Sequence, residues 1–123
     1  MILLIKKKSN INGIGIFTTK FLHKNIVFYE VPINFISNKP KSKCAYIGKN
    51  KWVLDENVLN YVNHSCEPNS ILDISGQSKL IAKKDIEAGE EITVDYNETE
   101  KNGKRACCDC KSKNCRGYFL RLE

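Results

Sequence analysis

The feature that most constrains this chain is the placing of its cysteines. Six occur in 123 residues, and four of them crowd into "CCDCKSKNC", Cys107 to Cys115, near the end of the sequence. Within that stretch Cys108, Cys110 and Cys115 form a C-x-C-x4-C array. Short spacings of this kind in an intracellular chain indicate thiolate ligation of zinc rather than disulfides. A structural zinc site takes four ligands, and the array supplies three. Cys66, in the mid-chain segment "YVNHSCEPNS", is the natural fourth, whereas Cys44 sits in a lysine-rich stretch with no evident reason to reach the site. Cys107 competes for one of the positions. A bound ion contributes on the order of 10 kcal/mol of folding free energy, enough to fasten a polar tail that hydrophobic burial could not hold. The alternative is a tail of reduced thiols without order.

An intracellular setting is expected from the rest of the sequence. The opening "MILLIKKKSN" sets apolar residues before lysines, the reverse of a secretory signal. No apolar run approaches the ~18 to 20 residues that cross a bilayer, so a soluble protein without a membrane partner is expected. The length suits one domain with one modest core. The net charge of +6 is unevenly spread: residues 1–51 hold ten lysines and one acid, Glu30, while seven of the fourteen acids fall between Asp85 and Glu100. The basic front could make weak contact with nucleic acid, although a solvated surface explains it as well.

Apolar residues come in short runs. Ile2–Ile5, Ile26–Val31, Lys51–Leu54, Ile71–Ile74, Leu80–Ala82 and Ile92–Tyr96 read as strands bounded by turn formers, with one helical turn or two around Glu56–Val62 and an exposed loop over 37–43. The fold class is therefore mostly β. In "EEITVDY" the alternation sets Ile92, Val94 and Tyr96 on one face, so the Tyr96 hydroxyl is expected to end inside a pocket.

Four segments, "GIGIF", "NHSCEPN", "GEEITVDY" and "CDCKSKNCRG", occur in an order that resembles the SET-domain protein lysine methyltransferases over nearly the whole chain. The resemblance implies a β-clip fold of several small curved sheets. In that fold the Asn-His segment threads beneath the tyrosine strand as a pseudoknot. A SET domain over 1–97 would be followed by a zinc-bound post-SET segment over 98–123. It implies S-adenosylmethionine as methyl donor and a lysine-bearing protein, such as a histone tail, as substrate. By motif matching, Tyr96 is the catalytic tyrosine, and Tyr61, in the strand entering the pseudoknot where the family usually has an aromatic residue, is a second catalytic candidate. Asn63 and His64 contact the cofactor through side chain and backbone, and Tyr96 contacts it as well. Gly13 and Gly15 let the backbone at Ile14 and Ile16 approach the cofactor without a Cβ in the way. Cys66, Cys108, Cys110 and Cys115 match the zinc ligands, the zinc being structural.

The chain departs from the family at Val94, where many members carry Phe or Tyr that limits how many methyl groups fit; a smaller residue implies di- or trimethylation. The segment between Glu30 and Asn63 is short. Acids between Asp85 and Glu100 could draw a cationic peptide to the channel mouth, or form an ordinary solvated face. A non-catalytic, zinc-supported binding module is the alternative function, and so small a domain is compatible with a homodimer. A dinucleotide fingerprint fails because Thr18 stands where a third glycine belongs. A Cys66–His64 nucleophile is disfavoured because residues two apart in an extended segment lack the separation of a relay.

Overall fold

Runs of four or five apolar residues broken by Lys, Asn and Gly are too short for stable helices, and strands are what they form. The computed structural model describes residues 3–39, 45–48, 51–74, 77–96, 104–108, 110, 112–113 and 115–121. Strands β1 (Leu4–Lys8) and β2 (Ile14–Thr18) make an antiparallel hairpin in which Leu4 faces Thr18 and Lys8 faces Ile14. Its turn is built locally. The Ser9 hydroxyl accepts the amides of Ile11 and Asn12, the Ser9 amide donates to the Gly13 carbonyl at 2.8 Å, and Gly13 takes a left-handed φ of 46°.

Strands β3 (Val27–Glu30), β8 (Ser70–Asp73) and β9 (Lys79–Ala82) form a sheet in the order β3-β9-β8. Along β9 the period of two is plain: Leu80 and Ala82 are fully buried, while Lys79 and Ile81 are half-buried. A second sheet, β4-β6-β5, joins β4 (Ile36–Ser37), β6 (Lys51–Val53) and β5 (Ala45–Gly48). Strands β11 (Lys104–Cys107) and β12 (Tyr118–Arg121) pair antiparallel in the tail. The core gathers where the small sheets meet, around Ile16, Val31, Val53, Leu80, Ile86 and Ile92, none more than 1% exposed. Burial of each such side chain stabilises the fold by about 2 kcal/mol.

The expected strands are present with shifted ends. Strand β2 escapes a reading of the sequence because Gly15 interrupts its pattern. The strand expected over Ile92–Tyr96 pairs as β10 only at Thr93–Val94, with β7 (Asn63–His64), and the expected helical piece is one 3-10 turn, Leu59–Tyr61. Of the expected loop over 37–43, Ser37 belongs to β4, and residues 40–43 lie outside the described residues.

That 3-10 turn delivers the chain into the site, and Asp55 launches it. Asp55 is fully buried, and its Oδ1 accepts the amides of Asn57 and Val58 at 3.1 and 3.0 Å. Its Oδ2 accepts the Tyr29 hydroxyl at 2.5 Å. Burial, then the bond to Asp55, raises the Tyr29 phenol well above its ordinary pKa, so its proton stays in place.

Candidate active site and metal centre

The site begins with a parallel pairing only two residues long. Asn63 lies beside Thr93 and His64 beside Val94, and the Ser65 amide continues the ladder to the Val94 carbonyl at 2.9 Å. So short a pair needs outside support, and Asn69 supplies it. Its carboxamide donates to the Glu91 carbonyl at 2.7 Å and accepts the Thr93 amide at 3.0 Å, while its own amide donates to Thr93 Oγ1 at 3.2 Å. Asn69 was not singled out in the sequence, although it closes the same "NHSCEPN" segment.

The pairing brings Asn63, His64 and Tyr96 together. The Tyr96 hydroxyl donates to the Val62 carbonyl at 2.7 Å, and its backbone amide donates to His64 Nδ1 at 2.9 Å. The two rings tilt against each other with centroids 5.2 Å apart. Burial is the main reason that the His64 pKa falls to about 4; the Asp95 carboxylate raises it and the Arg116 cation lowers it further. Asp95 Oδ1 stands 3.6 Å from His64 Nδ1, but a nitrogen that accepts the Tyr96 N–H carries no proton to offer it. The contact is therefore not an ion pair. The cationic partner of Asp95 is Arg116, whose Nη2 lies 2.7 Å from the same oxygen.

Asn63 anchors the opposite side. Its Nδ2 lies 2.7 Å from Glu91 Oε2 and 3.1 Å from both the Ser9 hydroxyl and the Asn12 carbonyl. The Ser9 hydroxyl also contacts both Glu91 carboxylate oxygens, at 2.7 and 2.8 Å. The chain around Glu91 runs along β2, with the Ile92 amide on the Ile16 carbonyl at 2.7 Å, and this points the Glu91 side chain under Gly15. A Cβ on Gly15 would lie 2.2 Å from Glu91 Oε2. The space that Gly15 leaves thus holds a carboxylate of the protein itself. Gly13 differs, with nothing within 4 Å of where its Cβ would be. Ile14 is exposed, whereas Ile16 is core. Glu91 was read as part of an acidic run and of the start of the tyrosine strand; its inward turn has no signal in the sequence.

The four thiols of Cys66, Cys108, Cys110 and Cys115 lie within 4.8 Å of one another, with Cys66 Sγ 3.9 Å from Cys108 Sγ. Four sulfurs around zinc at about 2.3 Å would stand about 3.8 Å apart, so the donor set suits a tetrahedral zinc ion. Burial raises the Cys110 thiol, but hydrogen bonds from the Cys66 and Ser112 backbone and from the Cys108 and Cys115 side chains outweigh it and bring the pKa down to about 6. The amides of Arg116 and Gly117 point at the Cys66 and Cys115 sulfurs, each at 3.3 Å. Ser112 also bonds the Glu67 carboxylate. Cys44 and the Cys107 side chain lie outside the described residues.

Tyr61 is placed differently from Tyr96. Its ring carries the Lys6 ammonium 4.2 Å from the centroid, and Lys6 donates onward to the Glu56 carbonyl at 2.6 Å. Several acids of the run from Asp85 make internal bonds: Asp85 accepts the Lys24 amide, Glu90 the Glu87 amide, and Asp95 the Arg116 side chain. A hollow of about 500 Å³ beside β4, lined by Phe35, Ile36, Leu54 and Glu56 among others, includes none of Asn63, His64, Tyr96 and the four cysteines.

The SET domain family matches residues 13–97. A Plasmodium falciparum protein is 34% identical over 93% of this chain, which covers 2% of that protein. The Schizosaccharomyces pombe protein named histone-lysine N-methyltransferase, H3 lysine-4 specific, is 40% identical over 51% of this chain and is covered to 7%. The chain thus spans a small part of these relatives. The methyltransferase domain of human histone-lysine N-methyltransferase SETMAR superposes with a TM-score of 0.67 over 93% of this chain and 56% of that one, at 23% identity, a likeness of fold. The chain belongs to the SET domain family.

Proposed function

We propose that this chain is an S-adenosylmethionine-dependent protein lysine N-methyltransferase acting on histone tails or another basic protein. The observation that carries the reading is the convergence of Asn63, His64 and Tyr96 at one two-residue pairing, directly beside the four thiols. Relatives named as histone-lysine N-methyltransferases support the substrate class.

S-adenosylmethionine, when bound, supplies an electrophilic methyl group on a positively charged sulfur. The exposed turn at Asn12, Gly13 and Ile14 would hold it, since Gly13 leaves open space there and Asn63 ties the turn to Glu91 from beneath. A substrate lysine must shed its proton, which costs roughly 4.6 kcal/mol at pH 7 from a pKa of ~10.4, and a dry channel reduces that cost by disfavouring the ammonium. Tyr96 has its hydroxyl proton on the Val62 carbonyl, so it orients the reacting amine and is not its base. Alignment of this kind can contribute about 7 to 11 kcal/mol. A zinc ion on the four thiols would hold the tail against the pseudoknot, with no open position for substrate.

Labelled cofactor should transfer methyl to core histones with the wild-type chain, and Tyr96→Phe should lose about 100-fold in rate. Absence of label on core histones and on cell-lysate proteins alike would replace this reading with a binding module.

A further inference from the structure

We infer that His64 is a positioning residue with two ends, which couples the thiolate of Cys66 to the placement of Tyr96. The inference rests on the zinc and methyl-transfer reading above and goes beyond it, because that reading assigns no role to the His64 ring.

The ring stands between the two groups. Nδ1 accepts the backbone N–H of Tyr96 at 2.9 Å. A ring nitrogen that accepts is unprotonated, so the neutral imidazole carries its proton on Nε2. Nε2 lies 3.5 Å from Cys66 Sγ, in reach of an N–H···S bond. The side chain is 3% exposed, which keeps water from replacing either partner. Cys66 accepts a second N–H from the Arg116 backbone at 3.3 Å, and the Arg116 side chain returns to Asp95, the residue before Tyr96. Among the described residues the tail thus grips the tyrosine strand through Arg116 and Asp95 and through Cys66 and His64, and the His64 route runs through the sulfur to the tyrosine's own amide. A metal-bound thiolate is a better acceptor for Nε2–H than a thiol, so occupancy of the four-thiol site favours the tautomer that leaves Nδ1 free for Tyr96.

The zinc-loaded full chain, labelled with nitrogen-15, tests this directly. The His64 ring nitrogens should report the Nε2–H tautomer, and removal of zinc should shift the Tyr96 amide resonance. Two substitutions separate the ends. His64→Asn keeps an acceptor near the Nδ1 position and loses reach to the sulfur, so zinc affinity by chelator competition should fall about 10- to 100-fold. His64→Gln keeps a donor near Nε2 and should hold zinc within a few-fold of wild type while the Tyr96 amide shifts. A zinc-loaded wild type in the Nδ1–H tautomer would overturn the inference, as would equal zinc affinity in both variants and wild type. If the wild type binds no zinc at all, the zinc reading fails first and the inference falls with it.

Discussion

The Tyr96 hydroxyl and the Val62 carbonyl are 34 residues apart in sequence and bonded at 2.7 Å, which closes the pseudoknot over the Asn63–His64 strand.

Gly15→Ala should destabilise the chain by about 2 kcal/mol in urea denaturation, because its Cβ would meet Glu91 Oε2 at 2.2 Å. That oxygen ends a flexible side chain, but Ser9 and Asn63 hold it in place. The cost is therefore that of breaking their bonds. In a Glu91→Ala background the same substitution should cost much less, with a coupling of about 1 kcal/mol or more. Equal costs in both backgrounds would show that the carboxylate is not what Gly15 accommodates.

Metal analysis should find about one zinc per chain. Cys66→Ser should release it as Cys110→Ser does, although Cys66 lies 42 residues before Cys108. Cys44→Ser should retain it. Since the ion can contribute on the order of 10 kcal/mol, a chelator should open the tail to protease ahead of the β3-β9-β8 sheet. Full zinc content in Cys66→Ser would detach the tail from the pseudoknot.

Alkaline pH should weaken the fold through Tyr29. Its phenol has a raised pKa when folded, from burial first and the Asp55 bond second. The folded state therefore keeps a proton that the unfolded chain gives up near pH 10, and stability is full below pH 10 and lost above it. Tyr29→Phe should cost about 2 kcal/mol at pH 7, by leaving the Asp55 oxygen without its donor, and should flatten the fall above pH 10. An unchanged alkaline limb in melting experiments would assign that limb to other groups.

Val94 pairs with His64 and is 9% exposed, two residues before Tyr96. Val94→Phe should fill space beside the tyrosine and move the product distribution towards monomethyl-lysine, read by mass spectrometry. A wild type that makes only monomethyl product would refute the role given to the small side chain.

The sequence by itself determined the kind of fold and the chemistry of its parts. Short β runs pointed away from long helices, the C-x-C-x4-C array with Cys66 marked four thiols that the fold brings within 4.8 Å of one another, and ordered motifs marked Asn63, His64 and Tyr96, which it brings together. The sequence could mark these residues because ligand type, strand period and motif order are properties of neighbouring residues. The tertiary structure alone decided where the side chains turn. Glu91 points under Gly15 and not into an acidic surface, Arg116 reaches back to Asp95, Lys6 covers Tyr61, and the His64 ring faces both Cys66 and Tyr96. Each of these contacts joins segments separated in the chain, except that between His64 and Cys66. Its geometry is set by the distant strand paired with His64 and the distant thiols around Cys66. A side chain's direction is the outcome of packing against such distant partners, and local pattern carries no record of them.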